Sequence, residues 1–181
     1  MRILGISGSA RRDSHNTKLL RAAAETLPAG VELVEWEGLT ALPIFDEDLE
    51  AERPEAVDSL IDAIASADAV LIATPEYNHS IPGGLKNALD WASRPYETNP
   101  LRNKPALVIG ASTGLFGAVW AQAETRKVLA TTGAKVLDTE FPLGLADDAF
   151  ADHGGLADPD AHERLTAALA ELHEARELVA A

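Results

Sequence analysis

Short apolar runs alternate with segments of helical period five times along this chain. That alternation constrains the fold more than any single residue does. Strands joined through helices pair in parallel, and both faces of a parallel sheet are covered. Such strands read as continuous apolar runs. Residues 68–74, Asp-Ala-Val-Leu-Ile-Ala-Thr, are one such run, and Pro105-Ala106-Leu107-Val108-Ile109-Gly110 is another. The expectation is one α/β domain over residues 1–181, with a parallel sheet between two helical layers.

Read in order, residues 2–7 form strand one and residues 15–27 helix one, with Leu19, Leu20, Ala23 and Leu27 on one face. Pro28-Ala29-Gly30 breaks it. Val31, Leu33 and Trp36, interleaved with Glu32 and Glu35, form an edge strand with one wet face. Residues 37–53 read as a surface connection; within it Leu42-Pro43-Ile44-Phe45 would fold over a neighbouring subunit or the site. Pro54 opens helix two, and Pro82 occupies the first position of helix three, which runs to about Trp91. Helix four covers about 118–132 and is capped by Gly133, and residues 134–141 form strand five. Residues 142–157 are irregular. Asp158-Pro159 then starts helix five, with Leu165, Leu169, Leu172, Ala175 and Val179 aligned.

Composition removes several function classes. A net charge of −14 disfavours nucleic acid or an anionic membrane as partner. With no cysteine, disulfides, thiolate catalysis and thiolate metal sites are excluded, and a cytoplasmic location is the expectation. No signal peptide or membrane-spanning run is expected. The five histidines are scattered without ligand spacing, so no metal site is expected.

Chemistry concentrates in three strand-to-helix loops. With strand order 2-1-3-4-5 these loops are neighbours at the carboxyl rim of the sheet, where open α/β sheets bind ligands. The first, Gly8-Ser9-Ala10-Arg11-Arg12-Asp13-Ser14-His15-Asn16-Thr17, combines small residues, hydroxyls and a guanidinium at a helix start. Ser9, Ser14, Asn16 and Thr17 offer neutral hydrogen bonds and Arg11 a fork suited to phosphate. Ser14 reads equally as a plain helix N-cap. The spacing matches neither a Walker loop nor the dinucleotide fingerprint. The second loop, Pro75-Glu76-Tyr77-Asn78-His79-Ser80-Ile81, offers a flat ring at Tyr77 and amide groups for a planar heterocycle. The third, Ala111-Ser112-Thr113-Gly114-Leu115-Phe116-Gly117, is a glycine-rich shelf. Each alone is ordinary turn chemistry. Together they describe a mononucleotide with a large flat ring, and FMN fits that description.

The set Gly8-Ser9-Ala10-Arg11-x-x-Ser14-x-Asn16, Pro75-Glu76-Tyr77-Asn78-x-Ser80-Ile81-Pro82-Gly83-x-Leu85-Lys86-Asn87-x-x-Asp90-Trp91 and Ser112-x-Gly114-x-x-Gly117 resembles the NADPH-dependent FMN reductase family of quinone, azo-dye and chromate reductases. The resemblance runs from strand one through helix four. It implies a flavodoxin-like three-layer sandwich with a five-stranded parallel sheet, order 2-1-3-4-5. It implies that Ser9, Arg11, Ser14 and Asn16 hold the FMN phosphate, with Thr17 beside them. Pro75, Glu76, Tyr77 and Asn78 would line the isoalloxazine, largely through backbone groups, and Ser112 and Gly114 would border its other end. It also implies a homodimer or homotetramer with the Lys86–Asp90 helix at a contact; a solvated i,i+4 ion pair is the rival reading of those two residues.

The activity expected from this is a ping-pong transfer. Hydride would pass from NADPH or NADH through flavin N5 to a quinone, azo compound, metal oxyanion or free flavin. The flavin carries the chemistry, so no side chain is nominated as catalytic; His79 and His15 read as a loop histidine and a helix-start residue. The alternatives are a flavodoxin-like electron carrier that uses no nicotinamide, and a flavin-free hydrolase or nucleotide-binding regulator.

Overall fold

The structure is a computed structural model describing residues 1–152 and 154–180; for 178–180 only the backbone is described. Six strands and five α-helices follow one another as β1 (Arg2–Ser7), α1 (His15–Glu25), β2 (Glu32–Trp36), α2 (Glu55–Ser66), β3 (Ala69–Ala73), α3 (Gly83–Ala92), β4 (Pro105–Ala111), α4 (Val119–Thr131), β5 (Lys135–Val136), β6 (Phe141–Leu143) and α5 (Pro159–Ala180). The strands pair in parallel in the order β2-β1-β3-β4-β5, with β6 also on β4. This is the flavodoxin-like arrangement expected from the sequence.

Burial follows position in the sheet. Every residue of β3 and β4 is buried, whereas edge strand β2 has none fully buried. Register is set by apolar partners: Ile3 lies between Leu33 and Ala69, and Val70 faces Ala106. One face is covered by α1 and α5 through Leu19, Leu20, Leu165 and Leu172. The other is covered by α2 and α3 through Val57, Leu60, Leu85 and Trp91, with Leu129 of α4 joining them. Leu165, Leu169 and Leu172 are buried as their period predicts, while Val179 lies outside the residues whose side chains are described.

One expectation is corrected. Residues 134–141 do not form one strand. The chain pairs with β4 at β5, and Leu137 N–H still donates to Ala106 O. It then leaves the sheet at Asp138-Thr139-Glu140 and returns as β6, which starts at the expected end and runs two residues past it. Two of these three polar residues find partners outside the sheet: Thr139 donates to Glu171 and Glu140 pairs with Arg126. The fifth position in the sheet is thus filled by two short segments. Within the connection before α2, residues 42–45 strap α3. The Pro43 carbonyl accepts from Trp91 Nε1 at 2.9 Å and Asn87 Nδ2 at 2.8 Å, and Phe45 meets Trp91 edge-on at 4.9 Å.

Asp68 sits just before β3, at the edge of the sheet away from the rim. The Arg2 amide donates to it at 2.7 Å and Arg176 lies beside it, and together they hold its carboxyl below the ordinary value. A carboxyl depressed in the fold stabilises it fully above the unfolded value, and that contribution disappears as pH falls through the folded value. Asp68→Asn should therefore flatten the acid limb of the stability curve, measured by melting temperature from neutral pH to about pH 3.

Candidate functional site

The carboxyl ends of β1, β3 and β4 come together through backbone bonds. Gly8 N–H donates to Ala73 O at 2.8 Å, and Thr74 N–H donates to Ile109 O at 2.9 Å. A Cβ on Gly8 would lie 2.9 Å from Leu85 and 3.3 Å from Pro75, so glycine lets the first loop press on the second.

A cleft of about 140 Å³ lies where the three loops meet. From the first loop Ser9, Arg11, Ser14 and Asn16 line it; from the second, Pro75, Glu76 and Tyr77; from the third, Ser112. The remaining candidates lie beside it. Thr17 opens onto the neighbouring groove, with its hydroxyl donated to Ser7 Oγ at 3.0 Å. Asn78 sits at the tip of a two-residue turn, where it and His79 have φ of 53° and 59° and Tyr77 pairs with Ser80. Gly114 donates its N–H to Ser112 Oγ at 3.1 Å.

The side chains divide into open and engaged groups. The Arg11 guanidinium has no partner among the described residues, and neither do the backbone N–H groups of Ala10 and Asp13. Ser14 is a true N-cap, its Oγ accepting from Asn16 N–H at 3.2 Å and Thr17 N–H at 3.3 Å. Its hydroxyl proton stays free for an anion. Asn16 is 2% exposed and wholly engaged. Its Nδ2 donates to Ala111 O at 3.0 Å, and its Oδ1 accepts from Ala111 N–H at 2.9 Å. The amide therefore ties the first loop to the end of β4.

Glu76 carries a role that the sequence reading missed. Its carboxylate accepts from Trp120 N–H at 3.0 Å and Ala121 N–H at 3.1 Å, capping α4 from another loop. A signal was present: Gly117-Ala118 at the start of α4 supplies no capping side chain. With that carboxylate satisfied, the loop presents backbone and the Tyr77 ring to the cleft. Glu124 of α4 likewise accepts from Ser80 Oγ and from Ile81 N–H. His15 was expected to be only a helix-start residue. Its Nε2 lies 3.1 Å from Asp147 and its ring stacks on Phe150, fastening residues 147–150 beside the first loop.

The third loop is completed by β6. Ser112 N–H donates to Leu143 O and Ala146 N–H to Ser112 O, at 3.0 and 3.1 Å. Beyond it stand exposed Leu115, Phe116 and Trp120; Trp120 meets both Phe116 and His79 edge-on. The arrangement fits FMN. An open guanidinium, free amides and a helix N-terminus suit its phosphate at one end. A bare tyrosine and a glycine-tightened backbone suit its ring at the other.

Comparison with known proteins agrees with this geometry. The model of the NADPH-dependent FMN reductase family matches residues 1–148. An NAD(P)H-dependent FMN reductase of Pseudomonas aeruginosa is 42% identical over 165 residues, covering 90% of this chain and 88% of that protein. A 2-hydroxy-1,4-benzoquinone reductase of a Burkholderia species is 42% identical over 130 residues, covering 72% and 70%. The solved structure of FerB, a flavoenzyme NAD(P)H:(acceptor) oxidoreductase from Paracoccus denitrificans, superposes with a TM-score of 0.90 at 36% identity over 97% of each chain. The chain belongs to the NADPH-dependent FMN reductase family, oxidoreductases that work with FMN and NAD(P)H.

Proposed function

We propose that the cleft holds FMN and that the chain is an NAD(P)H-dependent reductase of small acceptors. FMN bound there would supply hydride transfer at its N5, from NADPH or NADH to a quinone, azo compound, metal oxyanion or free flavin, in ping-pong order. Arg11, Ser9 and Ser14 take the phosphate, with the Ala10 and Asp13 amides beside them. Asn16 and Thr17 hold the shape of that socket. The backbone at Pro75, Glu76, Tyr77 and Asn78 lines the ring, and Ser112 and Gly114 border its far end. The amides opening α3 at Gly83 and Gly84 stabilise negative charge at the pyrimidine end. No side chain needs to move a proton, so none is assigned a catalytic role.

The observation carrying this reading is an Arg11 guanidinium, unpaired among the described residues, sharing one cleft with exposed Tyr77. The test is the visible spectrum of the purified protein before and after anaerobic addition of NADPH. Loss of the flavin band within seconds supports the reductase. A persistent band points to an electron carrier, and a colourless protein that takes up no FMN defeats both. Arg11→Ala should weaken FMN binding by about 1.5–3 kcal/mol, the scale of a lost charge-assisted hydrogen bond. Fluorescence titration of the apoprotein measures it.

A homo-oligomer, dimer or tetramer, belongs to the same proposal. Leu115 and Phe116 are 71% and 61% exposed at the rim, a surface suited to burial against a second copy. Lys86 pairs with Asp90 at 2.6 Å on the outer side of α3, where a contact is proposed. A cytoplasmic location rests on composition. Among the described residues no helix is long and apolar enough to cross a membrane.

A further inference from the structure

A second cavity, of about 460 Å³, lies under the sheet, at the amino ends of β3 and β4 and away from the rim. Its volume is that of a small-molecule site. The connection before β4 lines it through Arg102, Asn103 and Lys104, the end of α2 through Ala67, and α5 through Arg176. It shares no residue with the flavin cleft, which leaves it without an occupant.

Its charge runs against that of the chain. Acids outnumber Lys and Arg by 29 to 15 overall, yet Arg102, Lys104 and Arg176 wall this cavity with one carboxylate, Asp68. That carboxylate is already satisfied. Its Oδ2 accepts from the Arg2 amide at 2.7 Å, and its Oδ1 accepts from Arg176 Nη2 at 3.2 Å and Nε at 3.3 Å. Asp68 and Arg176 therefore cancel, and two cations remain. Among the described residues neither Arg102 nor Lys104 has an acidic partner.

Neutral groups hold both cations in place. Arg102 Nη2 donates to Tyr96 O at 2.9 Å, and the guanidinium lies 5.6 Å from the centre of the Tyr96 ring. Tyr96 O is fixed in turn by Asn99 Nδ2 at 2.9 Å, from a side chain that is buried. Gly133 keeps room for the guanidinium: a Cβ there would stand 3.3 Å from Arg102 Nη1. Lys104 Nζ donates to Ala67 O at 2.5 Å and to Ala65 O at 3.4 Å, carbonyls at the end of α2. A helix-end cap accounts for Lys104 and leaves Arg102 unexplained. Burial lowers the Lys104 pKa against the pull of Asp68, so the ammonium is under-compensated where it stands. Asn103 adds a side-chain amide without a partner among the described residues. Two ordered cations that the protein does not neutralise, on one cavity, are preorganised for an anion.

We propose that this cavity binds a small, multiply charged oxyanion, such as a pyrophosphate group, between Arg102 and Lys104. Arg102 presents the nitrogens that Tyr96 does not use, and Lys104 its third proton. Arg176 stays on Asp68 and keeps that carboxylate from repelling the ligand. The proposal goes beyond the flavin reading and does not rest on it.

The test is calorimetric titration with inorganic pyrophosphate at constant ionic strength, in saturating FMN so that the rim cleft is filled. The wild type should bind one pyrophosphate per chain. Arg102→Gln and Lys104→Gln each remove a charge and keep a donor for the carbonyl that the native side chain serves. Each should weaken binding at least about tenfold, the factor that one charge-assisted hydrogen bond supplies. Melting temperatures without pyrophosphate show whether each variant folds, and either variant suffices. Lys127→Gln, which removes an exposed cation outside the cavity, should leave the affinity unchanged. Absence of binding by the wild type overturns the proposal, as does an affinity that survives in the folded cavity variants. Equal weakening in Lys127→Gln overturns it too, because the attraction is then diffuse surface charge. Release of flavin as pyrophosphate binds, seen in the visible spectrum, also overturns it, because the anion then occupies the rim.

Discussion

Asn16→Ala should lower the unfolding free energy by about 2–6 kcal/mol, because it orphans two buried backbone groups at once. The Asn16 amide is the sole side chain bonded to both the N–H and the C=O of Ala111 among the described residues. Ala111 is 2% exposed, so water does not replace the lost partner. Leaving a buried donor and a buried acceptor unmet costs about 1–3 kcal/mol each. Against a total stability of about 5–15 kcal/mol this is a large fraction. Denaturant unfolding with an unchanged slope is the measurement. FMN should also be lost more readily, since the same bond aligns the phosphate loop with the end of β4. Asn16→Asp separates chemistry from shape. Ionised, the new carboxylate sets an oxygen against the Ala111 carbonyl; protonated, it donates as the amide does. Its pKa should be raised in the fold, so its deficit relative to wild type should shrink as pH falls and grow as pH rises through the folded value. A deficit that does not change with pH would show that the bond is not what stabilises this junction.

The role of Asn16 also marks where the sequence stops being informative. Its spacing after Gly8 places it in the first loop, and its residue type permits a phosphate contact. Its actual partner lies 95 residues away in β4, and no periodic pattern records a side chain that bonds a distant backbone. Glu76 is the same case, capping a helix 44 residues on. What periodicity does record came through: the fully apolar runs of β3 and β4, the half-wet edge at β2, and the Ser14 cap opening α1. The break between β5 and β6 was hidden because Val136 and Phe141 are both apolar, and the polar residues between them gave too short an interruption to weigh against a strand.

Gly117→Ala should be the most damaging single-methyl change in the third loop, lowering stability by about 3 kcal/mol or more. Two effects add. Gly117 has φ of +57°, a left-handed conformation that costs an L side chain about 1–2 kcal/mol. Its Cβ would also stand 2.5 Å from Leu143 N and 2.6 Å from Pro142 C, both backbone atoms of β6 that cannot rotate aside. The strand or the loop must move, and either motion strains the bonds that join Ser112 to Leu143 and Ala146. FMN retention should fall with stability, because the far border of the cleft shifts. Gly114→Ala is the control on the same loop. Its φ is not left-handed, and its Cβ would meet only Ser112 Oγ, at 3.5 Å, an ordinary contact. Stability should therefore change by less than about 1 kcal/mol, the range of a tolerated glycine replacement. FMN binding should nevertheless weaken if the ring edge lies against Gly114. Thermal melting and flavin titration of the two variants then distinguish a glycine needed for the fold from one needed for the ligand. Equal stability of the two variants would mean that the close approach of the third loop to β6 contributes nothing to holding the rim.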